Sequence, residues 1–169
     1  FFSLIYIVMP ILMLCDLGLR VNHTSLAEPF HFSYLFPAAI VFSVWINDTM
    51  AYLVGSFIGR TPFSKISPKK TWEGTIGGII LCVVVITLLG RLSIAASVSS
   101  SHWSAIALIV AVFGTLGDLF ESKLKRMAGL KDSGKIMPGH GGFLDRFDSL
   151  LVATPFVWLY IKIFIPLVG

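Results

Sequence analysis

The chain has 169 residues, 56% of them hydrophobic and 13% charged, with a mean hydropathy of +0.86. A soluble domain is about a quarter charged, and the apolar residues here run in long blocks that only lipid would cover, so composition excludes one. The net charge of +4 does not point to nucleic acid, because the cations gather in two loops between apolar blocks, where topology alone would put them.

An α-helix needs about 20 mostly apolar residues to cross the hydrocarbon layer. Five segments meet or approach that length: Phe2–Leu19, Tyr34–Ile58, Thr75–Leu92, Trp103–Phe120 and Ser149–Leu167. No segment alternates apolar and polar residues as a barrel wall does. The expectation is an all-α, polytopic transmembrane helix bundle of about five helices, a single domain over residues 1–169.

The chain opens at Phe1, inside an apolar run. It lacks the basic start and small-residue cleavage site of a signal peptide, so the sequence reads as the C-terminal part of a longer chain with helices upstream. Asn22-His23-Thr24 fits a glycosylation sequon, a triplet that also arises by chance. The second segment carries Asn47 and Asp48 near its middle, with Tyr52 one turn on. A carboxylate at that depth is costly and should face a partner or a wet cavity.

The loop 59–72 holds Arg60, Lys65, Lys69 and Lys70. Within it, Ser67-Pro68 resembles an N-cap and first helical residue, and a helix start flanked by Lys69 and Lys70 would attract anions. Gly55/Gly59 and Gly74/Gly78 have the spacing of close helix packing. Cys15 and Cys82 sit in apolar runs, with no spacing that suggests a metal site or a disulfide.

The fourth segment ends Gly117-Asp118-Leu119-Phe120-Glu121-Ser122-Lys123-Leu124-Lys125-Arg126. If the helix continues, Asp118, Ser122 and Lys125 share one face. The following loop contains Lys131-Asp132 and then Pro138-Gly139-His140-Gly141-Gly142-Phe143-Leu144-Asp145-Arg146-Phe147-Asp148. Glycines around His140 allow a ligand close to the backbone, and Asp145 and Asp148, one helical turn apart, suit Mg²⁺ with nucleotide phosphates. Carboxylates among many cations point to phosphoryl chemistry. Both basic loops lie on one side of the bundle, which the positive-inside rule makes the cytoplasm. A basic topology loop would account for the lysines but not for the acidic residues.

The run from Ser122 to Asp148 resembles the signature of phosphatidate cytidylyltransferases (CDP-diacylglycerol synthases). Ser67-Pro68-Lys69-Lys70-Thr71-Trp72-Glu73-Gly74 and Asp48-Thr49-Met50-Ala51-Tyr52 are similar to that family too, and Met137 is a small apolar departure. The resemblance implies a catalytic domain converting CTP and phosphatidate to CDP-diacylglycerol and pyrophosphate at the cytoplasmic face of a bacterial inner membrane. It implies Mg²⁺ on Asp118, Asp145 and Asp148, and less firmly a second cation such as K⁺. Lys125 and Arg126 would meet the lipid phosphate or the leaving pyrophosphate. Ser67, Lys69 and Lys70 would hold nucleotide phosphates, with Asp48, Tyr52, Ser122, Lys131, Asp132, His140, Gly141, Gly142 and Arg146 as further substrate contacts. The partners expected are the two substrates and the bilayer, with a homodimer left open.

Two other classes compete. An ion transporter would spread polar residues through both leaflets, whereas here they concentrate at one side apart from Asp48. A CDP-alcohol phosphotransferase would carry its own Asp-Gly…Ala-Arg pattern, which this chain lacks.

Overall fold

The computed structural model describes residues 4–21, 30–64, 67, 70–92, 98–130, 142 and 144–165. A π-helical turn, Leu4–Val8, leads into α1, Met9–Gly18. Then come α2, Leu35–Ile58, α3, Trp72–Leu92, α4, Ser100–Met127, and α5, Leu144–Phe164. The last four helices are long and apolar enough to span a membrane; the first, Leu4–Gly18, is shorter. Two three-residue strands, β1 (Leu19–Val21) and β2 (Phe30–Phe32), pair antiparallel with Leu19 opposite Phe32. This ribbon was not signalled by the sequence, but it is too short to cross a bilayer, and the architecture stays all-α.

The helices pack as a bundle in which α2 lies on α3, α3 on α4, α4 on α5, and α1 on α5. Small residues set the closest approach between α2 and α3. A Cβ on Gly74 would lie 2.7 Å from the Ala51 carbonyl oxygen and 2.8 Å from Gly55 Cα, and one on Gly78 would lie 2.7 Å from Ala51 Cβ. The apolar core, including Phe36, Ile40, Ile86, Trp103, Ile106, Val157 and Ile161, fills the half of the bundle where α2 and α4 begin and α3 and α5 end. Outward-facing Trp45, Ile80, Leu88, Leu108, Leu159 and Ile163 are exposed in the isolated chain, as a lipid-facing surface requires. Cys15 and Cys82 are free thiols, and Cys82 donates to the Ser43 carbonyl at 3.3 Å.

The sequence placed the start of α3 too late and its cap too early. The helix begins at Trp72, not Thr75, and its cap is Thr71, whose Oγ1 accepts the Gly74 N–H at 3.2 Å. Ser67 lies before the cap; its carbonyl accepts the Lys70 N–H at 3.1 Å. The stretch leaving α2 folds back on this start: Phe63 N–H bonds Lys70 O at 2.8 Å and Trp72 N–H bonds Thr61 O at 3.0 Å. Glu73 in the first turn of α3 accepts the Thr61 hydroxyl at 2.8 Å and the backbone N–H groups of Arg60 and Thr61 at 3.2 Å. A carboxylate in that position also favours the helix N-terminus.

At the opposite end, Asp16 on α1 receives Lys162 Nζ at 2.8 Å and Trp158 Nε1 at 2.7 Å from α5. His102 Nδ1 and the Tyr160 hydroxyl are 3.0 Å apart there, joining α4 to α5.

Candidate active site

Helix α4 continues past the membrane-length stretch to Met127. At 1.5 Å per residue, 28 residues reach roughly 40 Å, longer than the ~30 Å hydrocarbon layer. Its last three turns therefore carry Asp118, Glu121, Ser122 and Lys125 along one face at the rim of the bundle. The Ser122 hydroxyl donates to Asp118 Oδ1 at 3.3 Å. The helix then stops at Gly129, whose φ of 69° suits glycine above other residues.

Helix α5 brings the second set. Gly117 permits the contact: a Cβ there would lie 2.7 Å from the Asp148 carbonyl oxygen and 3.0 Å from Val152 Cβ. With no side chain between them, the two backbones meet next to Asp118. Asp148 is buried, its Oδ1 accepts the Ser149 N–H at 2.6 Å, and Asp118 and Glu121 are its electrostatic neighbours. Asp145 Oδ2 accepts the Gly142 N–H at 2.7 Å, so the glycine-rich stretch is tied to the first turn of α5.

Two lysines bind these carboxylates. Lys70 pairs with Asp118 across the space between α3 and α4. Lys125 Nζ stands between Glu121 Oε2 at 2.9 Å and Asp145 Oδ1 at 2.5 Å. Helix rotation thus brings Asp118, Asp148, Asp145, Lys70 and Lys125 to one end of the bundle.

A cavity of about 380 Å³ opens beside this cluster, between α2, α3 and α4. Asp48, Tyr52, Ser67, Lys70 and Asp118 all line it, and Asn47, Thr75 and Thr115 are also in its wall. Asp48, deep in the second apolar segment, therefore opens into a polar space, with Lys70 and Asp118 as its electrostatic neighbours. Arg126 and Arg146 are exposed near the rim. Lys69, Lys131, Asp132, His140 and Gly141 lie outside the described residues.

Glu121 and Tyr6 belong to this region and the motif reading passed over both. Glu121 is 1% exposed, and its Oε1 has no hydrogen-bond partner. Its signal was available as a carboxylate three residues after Asp118 and four before Lys125. Tyr6 stacks obliquely on Phe120 with ring centres 5.7 Å apart, and Asp148 and Glu121 are its electrostatic neighbours. Nothing in the sequence pattern announces that contact, which depends on how the π-helical turn before α1 docks.

The donors gathered here are carboxylate and hydroxyl oxygens, the set a hard cation such as Mg²⁺ takes. The unpartnered Glu121 oxygen is a buried acceptor that a cation would satisfy. Among the described residues, no three His, Cys, Asp or Glu side chains already stand at metal-holding spacing. The ammonium groups of Lys70 and Lys125 pair with Asp118 and with Glu121 and Asp145. The donor chemistry fits a divalent ion, which would compete with those lysines for the carboxylates.

Known proteins are similar to this sequence. The phosphatidate cytidylyltransferase of Bacillus subtilis is 43% identical over 138 residues, covering 81% of this chain and 50% of that protein. That of Thermotoga maritima is 45% identical over 130 residues, covering 73% of this chain and 48% of the relative. A chloroplastic phosphatidate cytidylyltransferase of Arabidopsis thaliana is 46% identical over 125 residues, or 73% of this chain and 31% of its own length. The chain thus spans at most about half the length of these relatives. A membrane bundle with carboxylates and lysines at one rim is accompanied by a match to the cytidylyltransferase family over residues 1–164, and the chain belongs to that family.

Proposed function

We propose that this chain carries the catalytic part of a phosphatidate cytidylyltransferase, which joins CTP and phosphatidate into CDP-diacylglycerol and releases pyrophosphate. The observation that carries the reading is the Lys70–Asp118 pair on the wall of a polar cavity inside a membrane bundle. A cation for phosphate and a carboxylate for metal stand together where a lipid headgroup and a nucleotide can both arrive.

The reaction follows from charge. A phosphatidate phosphate oxygen attacks the α-phosphorus of CTP, the bond to the β-phosphate oxygen breaks, and pyrophosphate leaves. The attacking phosphate is already largely ionised at neutral pH, so no strong general base is needed. The main obstacle is repulsion between two polyanions, which alignment and fixed positive charge reduce. Lys70 exchanges Asp118 for a nucleotide phosphate, with Ser67 beside it. Lys125 and Arg126, on the last turn of α4, face the lipid phosphate or the leaving pyrophosphate. Asp118, Asp145 and Asp148 would hold Mg²⁺, which when bound supplies Lewis-acid polarisation of the phosphoryl oxygens.

The basic loops support a cytoplasmic site in a bacterial inner membrane by the positive-inside rule. The test is the purified full-length protein in lipid vesicles with labelled CTP and phosphatidate. Labelled CDP-diacylglycerol and stoichiometric pyrophosphate are expected with Mg²⁺, and neither with a chelator. Failure to form CDP-lipid would end this reading.

A further inference from the structure

We propose that Asn47 reads the nucleobase, its Oδ1 accepting a hydrogen bond from the exocyclic 4-amino group of cytosine. The inference rests on the reading of the cavity as the CTP site and names what selects the base there.

The polarity of the Asn47 amide is fixed by a chain of hydrogen bonds. The Thr115 hydroxyl donates to the Ala111 carbonyl at 2.8 Å, which uses its only proton. Thr115 Oγ1 can then only accept, and Asn47 Nδ2 is the group that donates to it, at 3.4 Å. A flipped amide would set two acceptors against each other. Asn47 Oδ1 is therefore an acceptor, and it is buried with no hydrogen-bond partner in a residue 4% exposed. Buried polar groups are normally paired, and an exception needs an explanation.

The site supplies one. Asn47 lies in the cavity wall about one turn deeper along α2 than Ala51, and Thr115 one turn deeper along α4 than Asp118. Among the described residues, Lys70 is the cation in that lining, and the triphosphate is placed beside it. The wall one turn further in carries the Thr115 hydroxyl and the Asn47 amide beside Asp48. That suits a base rather than an acyl chain, which would leave these groups unpaired. The diacylglycerol ester carbonyls are acceptors and offer Asn47 Oδ1 no proton. Cytosine offers an N–H at position 4, while uracil presents a carbonyl oxygen that would meet Oδ1 acceptor to acceptor. The oxygen is covered by its neighbours, and binding the base requires the cavity floor to shift enough to uncover it.

The experiment measures kcat/KM for CTP and UTP with the full-length protein in vesicles, with gel filtration and thermal unfolding as folding controls. A site built to hydrogen-bond one substrate group can reject an analogue lacking it by ~10⁴-fold, so a wild-type preference for CTP of roughly 10³-fold or more is expected. Asn47→Leu should lower kcat/KM for CTP by about 100-fold and leave that for UTP within about twofold. Thr115→Val, the second variant, removes the oxygen that fixes the amide. The freed amide can turn Nδ2 toward uracil, and the CTP-to-UTP ratio should fall about tenfold. Should both variants fold and keep the wild-type ratio, the base assignment is wrong while the enzyme reading stands. Should the folded wild type fail to use CTP at all, the enzyme reading falls first and takes this inference with it.

Discussion

Replacing Gly117 with alanine tests whether the approach of α4 to α5 sets the geometry of the site. A Cβ there would lie 2.7 Å from the Asp148 carbonyl oxygen, 3.0 Å from Val152 Cβ and 3.1 Å from Val152 Cγ2. An ordinary contact begins at 3.4 Å, so the backbones must part by about 0.7 Å. Overpacking of this kind costs about 1–3 kcal/mol, partly offset by the ~1 kcal/mol gain of alanine over glycine in a helix. Net stability should fall by roughly 0–2 kcal/mol. Activity should suffer more, because Asp118 adjoins Gly117 and Asp148 supplies the opposing carbonyl. A displacement near 1 Å can cost ~100-fold in rate, and a loss of roughly 10- to 100-fold is expected. Gly114→Ala is the matched control, since its Cβ would sit 3.5 Å from Ser149 Cβ, an ordinary contact. It should be neutral or slightly stabilising, with full turnover. CDP-lipid formation and thermal unfolding in micelles compare the two. If Gly117→Ala turns over as fast as Gly114→Ala, helix approach does not control the site.

Two further perturbations separate the rim from the rest of the bundle. Lys70→Met removes the cation paired with Asp118. Mn²⁺, standing in for Mg²⁺, should then bind roughly tenfold more tightly without nucleotide, while CTP binds more weakly; an electron paramagnetic resonance titration reads the first, and unchanged Mn²⁺ affinity would argue against competition between lysine and metal. Asp16→Ala removes the acceptor of Lys162 and Trp158 at the far end. Both charged partners are well exposed, so thermal unfolding should report a loss of only about 1 kcal/mol, with turnover unchanged.

Much of the bundle was legible because four segments are long and apolar enough to declare themselves. The start of α3 was misread because Ser67-Pro68 has the composition of a cap while Thr71 makes the bond to Gly74. The shared face of Asp118, Ser122 and Lys125 followed from helical spacing, and the structure joins Ser122 to Asp118. The partners of the lysines did not follow. That Lys70 reaches Asp118, and Lys125 both Glu121 and Asp145, depends on helix rotation across elements far apart in sequence. Asn47 drew notice only as the neighbour of Asp48, because its role depends on the proton of Thr115. Short ribbons such as β1–β2 carry too few residues for any period to show.

The account depends on carboxylates at the rim acting with a divalent ion, and Asp148→Asn addresses it most directly. This change keeps the shape of the side chain and its acceptor for Ser149 N–H while removing the charge. The account predicts a protein that still inserts into the membrane and unfolds near the wild-type temperature but forms no CDP-diacylglycerol from labelled CTP at any Mg²⁺ concentration. Wild-type rates with unchanged Mg²⁺ dependence would contradict it.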